Sequence, residues 1–326
     1  MRYLQTQPQR NQAGLTMVEL LVALAIGSFL IIGAVQIYNQ SRQAFVVNES
    51  IARVQETAQF AMDTIEADLR MASNWGRNSR PLSVEGRAIS GNGNPNSLAE
   101  PTDCGVGWAL DLAQTLDGEN DDFTLPCSVV GGLQPNSDSF TVRRATVQPQ
   151  PLQGGRLQIQ TTRIQGRLFD DGSIPPGFSP ADSTTHNLIV NTYYVAADSA
   201  LIPGAPTLRR KTLGTAAGAP VVLDQEIAPG VESIQIQLGV DVNEDNTVDR
   251  YVNPGDGVYD PNDAGYIPGA RVMTARIWVV VRGLTAEVGI VDNRDYEPGD
   301  VDLGVPNDQY RRMQVSKTIL LRNARI

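Results

Sequence analysis

Apolar residues are spread very unevenly along this chain. Leu20–Val35 is sixteen residues with only Ser28 polar, and the wider stretch Leu15–Tyr38 holds one charge, Glu19, near its start. With its flanks this run is long enough to cross a hydrocarbon core of about 30 Å as a helix. A second pattern follows directly. Ile51, Val54, Ala58, Ala61, Ile65, Leu69 and Ala72 recur at spacings of three and four, which places them on one stripe of a helix. No proline interrupts Leu15–Ser73, so the two patterns read as one continuous helix, roughly 85–90 Å long at ~1.5 Å per residue. It is apolar all round in its first half and amphipathic in its second, and Asn74-Trp75-Gly76 is its stop.

Beyond Ser73 the period changes. Gly86–Pro101 reads as loop. Strand-like alternation then recurs in Ser139–Val147, Arg156–Ile164, Asn187–Ala196, Val231–Val242, Arg271–Arg282 and Gln314–Leu321. Ile234, Ile236, Leu238, Val240 and Val242 alternate without a break, so one face packs and the other is wet. Ile277–Val281 is continuously apolar, as in a strand covered on both faces. The pattern therefore predicts an α+β fold: a long N-terminal helix, hydrophobic then amphipathic, packed on an antiparallel sheet that can split in two. The stripe Ile51–Ala72 needs such a cover, because water would otherwise bathe it.

Composition narrows the functions. The 326 residues hold 26 Lys+Arg against 36 Asp+Glu, a net charge of −10, and Lys211 and Lys317 are the only lysines. Duplex nucleic-acid binding rests on clustered Lys and Arg, so that partner is excluded. A single histidine, His186, rules out multi-histidine metal sites. Residues 1–14 carry Arg2 and Arg10 and no acid, so the apolar run is predicted to insert with its N-terminus inside and the bulk exported. A secretory signal peptide would place a small-x-small cleavage site after the run. Gln36-Ile37-Tyr38-Asn39-Gln40 has none, and the helical pattern continues.

The junction Gly14-Leu15-Thr16-Met17-Val18-Glu19 closely resembles that of type IV prepilins. In that family a short basic leader ends in Gly, then come a hydrophobic residue, Thr, two apolar residues and Glu. The resemblance implies cleavage between Gly14 and Leu15 by the prepilin peptidase, N-methylation of Leu15, and helical packing of the mature subunit with others. It divides the chain into a cleaved leader 1–14, a transmembrane and filament-core helix half 15–38, an amphipathic half 39–73 and an exported β-rich head 74–326. Without its leader the chain has 24 − 36 = −12. Glu19 has its own physical reading: a carboxylate in an apolar helix needs a partner in lipid, and the free amine of a neighbouring subunit supplies it and sets axial register. An ordinary signal anchor with Glu19 in the headgroup zone is the bland alternative. One departure stands out. Major pilins commonly carry a helix-breaking proline further along, where this chain has Gln36 and no Pro between Gly14 and Pro81.

The β-rich remainder, with CGVGWAL, GVESIQIQLGVDVNEDNTVDRY and YRRMQVSKTILLRN, is similar to the PilW group of minor pilins. That resemblance implies partnership with other minor pilins in a complex priming pilus assembly near the tip, with the major pilin, the assembly platform of a Gram-negative inner membrane and a large tip adhesin. The head would be periplasmic before assembly and at the cell surface after it. A type II secretion pseudopilin shares the N-terminus but usually has a smaller domain. A membrane-anchored periplasmic enzyme or receptor is the alternative of a different class.

Other chemistry is sparse. Cys104 and Cys127, the only cysteines, read as a disulfide in an exported chain, since a redox or metal pair would want a CxxC spacing. His186, in SPADSTTHNL, reads as a solvated residue in a polar loop leading into a strand. There is no GxxxxGK[ST] phosphate loop, and Gly91-Asn92-Gly93 lacks a third glycine. Asp241, Asn243, Asp245, Thr247 and Asp249 place oxygens at alternate positions, like the start of a calcium loop. Position six is Asn246 and position twelve Val252, against an EF-hand, although Asp256, Asp260 or Asp263 could lend oxygens. The readings are Ca2+ or an open acidic turn. A second acidic run, Asp292–Asp308, has six acids against Arg294 and reads as a solvated loop or a face for a basic partner.

Overall fold

A computed structural model describes residues 14–88 and 97–324. The expected leader, Gly14 apart, and the middle of the Gly86–Pro101 loop lie outside the described residues. One helix, α1 (Met17–Arg70), is followed by twelve strands: β1 (Val84–Glu85), β2 (Leu116–Glu119), β3 (Ser139–Ala145), β4 (Gln158–Thr161), β5 (Gly166–Phe169), β6 (Thr184–Ala196), β7 (Thr207–Ala216), β8 (Ala219–Pro229), β9 (Val231–Asp241), β10 (Arg250–Val252), β11 (Arg271–Arg282) and β12 (Arg312–Leu320). The chain divides into two compact units, Met1–Ile51 and Ala52–Ile326.

The described part of the first unit is helix. Thr16 starts it: the Glu19 amide donates to Thr16 Oγ1 at 3.3 Å and the Leu20 amide to Thr16 O at 3.2 Å. Thr16 and Glu19 have the spacing of a capping box, and an acid in the first turn suits the helix dipole. The apolar side chains around this stretch are exposed, Phe29 at 78% and Leu30 at 69%.

In the second unit the amphipathic stripe is buried as its spacing predicts. Val54, Ala58, Ala61, Met62, Ile65 and Leu69 pack with Ile234, Ile236, Leu238, Ala275, Ile277, Val279 and Ile319 in the larger of two cores. Ala58 and Ala61, almost wholly buried, let the helix backbone approach the strands. β9, β11, β12 and the short β10 form an antiparallel four-stranded sheet in the order β10-β9-β11-β12, with Ile277 opposite Ile236 on one side and Lys317 on the other. The other eight strands form a second, mostly antiparallel sheet around β6, to which β3, β4 and β7 all pair; β1 and β5 run parallel. The sheet is thus split in two. A smaller core gathers Trp75, Trp108, Leu110, Leu112, Ile159 and Leu188 beside Cys104 and Cys127.

Some expectations need correction. α1 ends at Arg70, with turn at residues 71–73. The segment Arg156–Ile164 is not one strand: β4 turns at Thr162, whose amide donates to Gln165 O at 2.9 Å, and Ile164 is exposed at the tip. The hairpin β7–β8 was not expected. Its two-residue turn has positive φ at both Ala217 and Gly218, the backbone that matches strand twist. Its apolar alternation is hidden by Arg209 and Lys211, which are buried because Asp224 and Glu226 on β8 face them.

Candidate assembly interface

The two ends of α1 present different chemistry. At the start, Gly14 and Leu15 are exposed, and a Cβ built on Gly14 would meet nothing within 4 Å. The fold therefore does not require glycine there. Glu19 is also exposed. The window of highest mean hydropathy in α1, 2.5, has none of its residues buried, and the helix is long and apolar enough to cross a membrane. Each large apolar side chain left in water forgoes roughly 1.5–3 kcal/mol. This surface is built to be covered by lipid or by other apolar helices.

Toward its other end the helix carries a buried polar clamp. Asp68, 4% exposed, receives two hydrogen bonds on one oxygen from Arg144, Nε at 3.0 Å and Nη2 at 2.7 Å. Its second oxygen accepts from Tyr193 Oη at 2.6 Å and from Asn191 Nδ2. Burial, reinforced by the Asp68 charge, pushes the Tyr193 hydroxyl well above its ordinary range. Two residues earlier, Glu66 pairs with Lys317 on β12 and with Arg70. The hydrogen bond from Lys317 holds the Glu66 carboxyl below its usual value, against the opposing effect of burial. Asn323 Nδ2 donates to Ala72 O at 3.2 Å. Sequence reasoning missed this clamp. The available signal was an acid three residues after Ile65 and seven after Ala61, on the edge of the stripe.

Cys104 and Cys127 are disulfide-bonded. Between them Trp108 is buried and donates Nε1 to Thr192 Oγ1 at 2.9 Å. Arg143, desolvated on β3, holds the same segment through the carbonyls of Trp108 and Gln114; burial lowers its pKa. Lys211 Nζ donates to Ser128 O at 2.6 Å and Asp224 at 2.7 Å, beside the Phe123 and Tyr194 rings. The disulfide loop is therefore fastened to the eight-stranded sheet by two buried cations, Arg143 on carbonyls within it and Lys211 on the Ser128 carbonyl just after it.

The five oxygen-bearing residues of the acidic turn serve the turn itself. Asp241, fully buried, accepts from the amides of Asn243 and Asn246 and is paired with Arg271 at 3.1 Å. Asn243 accepts from the Asp245 amide, Asp245 from Thr247, and Asp249 from the Val242 amide. Among the described residues no group of three or more His, Cys, Asp or Glu is arranged to hold a metal ion. Asp241 carries a guanidinium, and Asp249 also accepts from Asn243 Nδ2 at 3.1 Å, so the turn is held by its own hydrogen bonds.

The run Asp292–Asp308 is not a simple solvated loop. Asp292 is buried, accepts from Tyr296 Oη at 2.8 Å, and lies 3.7 Å from Arg312 Nη1. Arg312, also buried, pairs with Asp308 at 2.6 Å and with Glu232 on β9. The run supplies counter-charges to an arginine of β12: Asp292 is internal, and Asp308 reaches Arg312 from a half-buried position. His186 corrects another expectation. It lies in β6, is 2% exposed, and packs against Gly76, where a Cβ would fall 2.6 Å from its ring. Its Nδ1 is 2.7 Å from Thr146 O, and burial lowers its pKa.

Comparison with known proteins yields two family matches. Residues 192–323 match the family model described as type IV pilus-assembly protein W, and residues 9–35 match the prokaryotic N-terminal methylation motif. Among solved structures, a type IV-like pilin from Thermus thermophilus aligns over 84% of this chain and 99% of its own, at 10% identity and a TM-score of 0.34. No curated protein matches the chain.

Proposed function

We propose that this PilW-like chain with a prepilin-type N-terminus is a minor type IV pilin, which joins other minor pilins in a complex that initiates pilus assembly near the tip. The observation that carries this reading is the uncovered apolar half of α1, bearing Glu19 at its start and continuing into a folded head. Prepilin peptidase would cut between Gly14 and Leu15, and Leu15 would be N-methylated. The subunit then waits in the inner membrane with its head outside, until the assembly platform moves it into a filament containing the major pilin. A large tip adhesin is a further partner of such a complex.

Glu19 has a specific task in this scheme. Its carboxylate cannot enter an apolar helical bundle alone without a severe desolvation cost. The Leu15 amine exposed by cleavage carries the opposite charge, four residues or about 6 Å along the helix axis. A neighbouring subunit offset along the filament axis by this order of distance brings its amine to Glu19 and neutralises both. The pilus role is favoured over a secretion pseudopilus by the match of the head to the pilus-assembly family over residues 192–323.

The test is mass spectrometry of the N-terminus of the protein isolated from piliated cells. The proposal expects a chain beginning with methylated Leu15. An intact Met1 in a strain with active prepilin peptidase would refute it.

A further inference from the structure

The four-stranded sheet ends at β12, and among the described residues no strand pairs with its outer side. The ladder determines which backbone groups face outward. The Leu321 amide donates to Met273 O at 2.9 Å, and the Gly283 amide to Arg311 O at 2.7 Å. Between these points Ile319, Lys317 and Val315 lie opposite Ala275, Ile277 and Val279. Antiparallel pairs alternate between bonded and non-bonded, so the odd-numbered residues bond to β11. The amides and carbonyls of Gln314, Ser316 and Thr318 therefore point away from the sheet. Arg312 belongs to the same outward series, and its carbonyl is already taken by Arg294 Nη2 at 2.7 Å.

Open edges invite pairing, and proteins usually blunt them with short strands, prolines, charges or bulges. The other edges of this head follow that rule. β1, β2 and β10 have two, four and three residues. β8 is long, but Pro220 lies near its start and Pro229 ends it, and its ladder with β7 is bulged at Leu208/Arg209. β12 has nine residues, no proline and an unbroken register with β11. Its mid-strand charge, Lys317, is drawn onto Glu66 of α1. Asn323, just beyond the strand, is tied to Ala72.

The side chains along the edge define what fits. On one face Gln314, Ser316 and Thr318 are exposed and small or polar; on the other Met313 and Val315 are half-buried at the rim of the larger core. An added strand would extend that core with its own apolar residues at alternate positions and place polar residues beside Ser316. Of the bases after residue 309, Arg311, Arg312 and Lys317 are paired within the chain, whereas Arg322 is exposed past the end of the strand.

We propose that the outer edge of β12 receives an extended segment of a different pilus subunit, alternating apolar and polar, with an acidic residue at the end lying near Arg322. The idea rests on the minor-pilin reading and adds the surface and the chemistry of the partner. Main-chain hydrogen bonds to Gln314, Ser316 and Thr318 supply affinity, and the rim at Met313 and Val315 supplies register.

The experiment uses the full-length chain in piliated cells, with a photo-crosslinking amino acid at Ser316 and, as a control, at Leu223 on β8. Adducts are mapped to the residue by mass spectrometry. The proposal expects an adduct at Ser316 to an alternating segment of another pilin-type subunit, and none at Leu223. No adduct at Ser316, an adduct to a second copy of this chain, or one to a segment without the alternation would overturn it. Ser316→Pro removes an outward N–H only, which an edge strand tolerates, whereas Val315→Pro breaks the ladder to β11 and reports general unfolding. Ser316→Pro is expected to keep cellular abundance and cut incorporation into pili at least about tenfold, as for the loss of one or two ordinary hydrogen bonds. If Glu19→Ala blocks incorporation and Ser316→Pro does not, the edge proposal falls and the pilin reading stands. If neither blocks it, both fall.

Discussion

The two parts of α1 solve the same problem in opposite ways. Both carry acids on a helix with abundant apolar surface. In Ala52–Arg70 the apolar stripe is covered by the sheets, and Glu66 and Asp68 find Lys317, Arg70, Arg144, Tyr193 and Asn191 within the chain. In Met17–Val46 the large apolar side chains remain uncovered, and Glu19 is exposed. One part is finished by folding; the other still lacks an apolar cover, which lipid or other apolar helices would supply. Acids in the first class should matter to stability, and the acid in the second to assembly.

The largest expected effect comes from the finished part. Asp68→Ala leaves Arg144 without its carboxylate in a buried setting, and breaking such a pair costs roughly 3–5 kcal/mol. Thermal unfolding of the full chain in detergent should show Tm lower by roughly ten degrees. Replacing both cysteines, Cys104→Ser with Cys127→Ser, is next: closing that loop is worth roughly 3 kcal/mol by chain entropy, read from the same melting curves. Lys317→Gln should cost less, about 1 kcal/mol or under, because Lys317 is 40% exposed and solvent screens the pair.

A separate effect is carried by pH. Asp138 accepts from the amides of Asp121 and Ile236, joining β3 to β9, and burial pushes its pKa up to about 7 from 3.8. The folded state then holds this proton where the unfolded chain has lost it. The Asp138 contribution to stability therefore falls as pH rises from 3.8 to about 7. Asp308 runs the other way: the hydrogen bond from Arg312 depresses its pKa, so its contribution is present above the ordinary aspartate value and lost as pH falls through the folded one. Asp138→Asn should flatten the decline in Tm across the upper window and leave the acid limb intact. Calcium at millimolar concentration should leave Tm unchanged, because Asp241 is paired with Arg271 and the turn is closed by its own hydrogen bonds. A rise in Tm that Asp245→Ala abolishes would restore the calcium reading.

The same division explains what was legible in the sequence. Where burial is apolar and periodic, as in Ile51–Ala72, Val231–Val242 and Arg271–Arg282, the elements stand close to where the pattern places them. The disulfide follows from two cysteines in a chain whose N-terminal pattern predicts export. The pattern fails where charges are buried in pairs. Arg209, Lys211, Asp224 and Glu226 disguise the β7–β8 hairpin, the Arg312 cluster disguises the run Asp292–Asp308, and Asp68 looks like a surface acid until Arg144 arrives from β3. Pairing between residues distant in sequence has no period. His186 was misplaced for a related reason: its neighbours are polar, but Thr184 and Thr146 bond to it inside the sheet.

The central claim is that Glu19 acts between subunits while Asp68 acts within one. The most direct measurement is the amount of Glu19→Ala protein in purified pili relative to its amount in cells. The account expects Glu19→Ala to be exported, processed at Gly14–Leu15 and as heat-stable as the wild type within about 0.5 kcal/mol, as for an exposed substitution, yet nearly absent from pili. Incorporation equal to that of the wild type, in cells carrying only this variant, would contradict it.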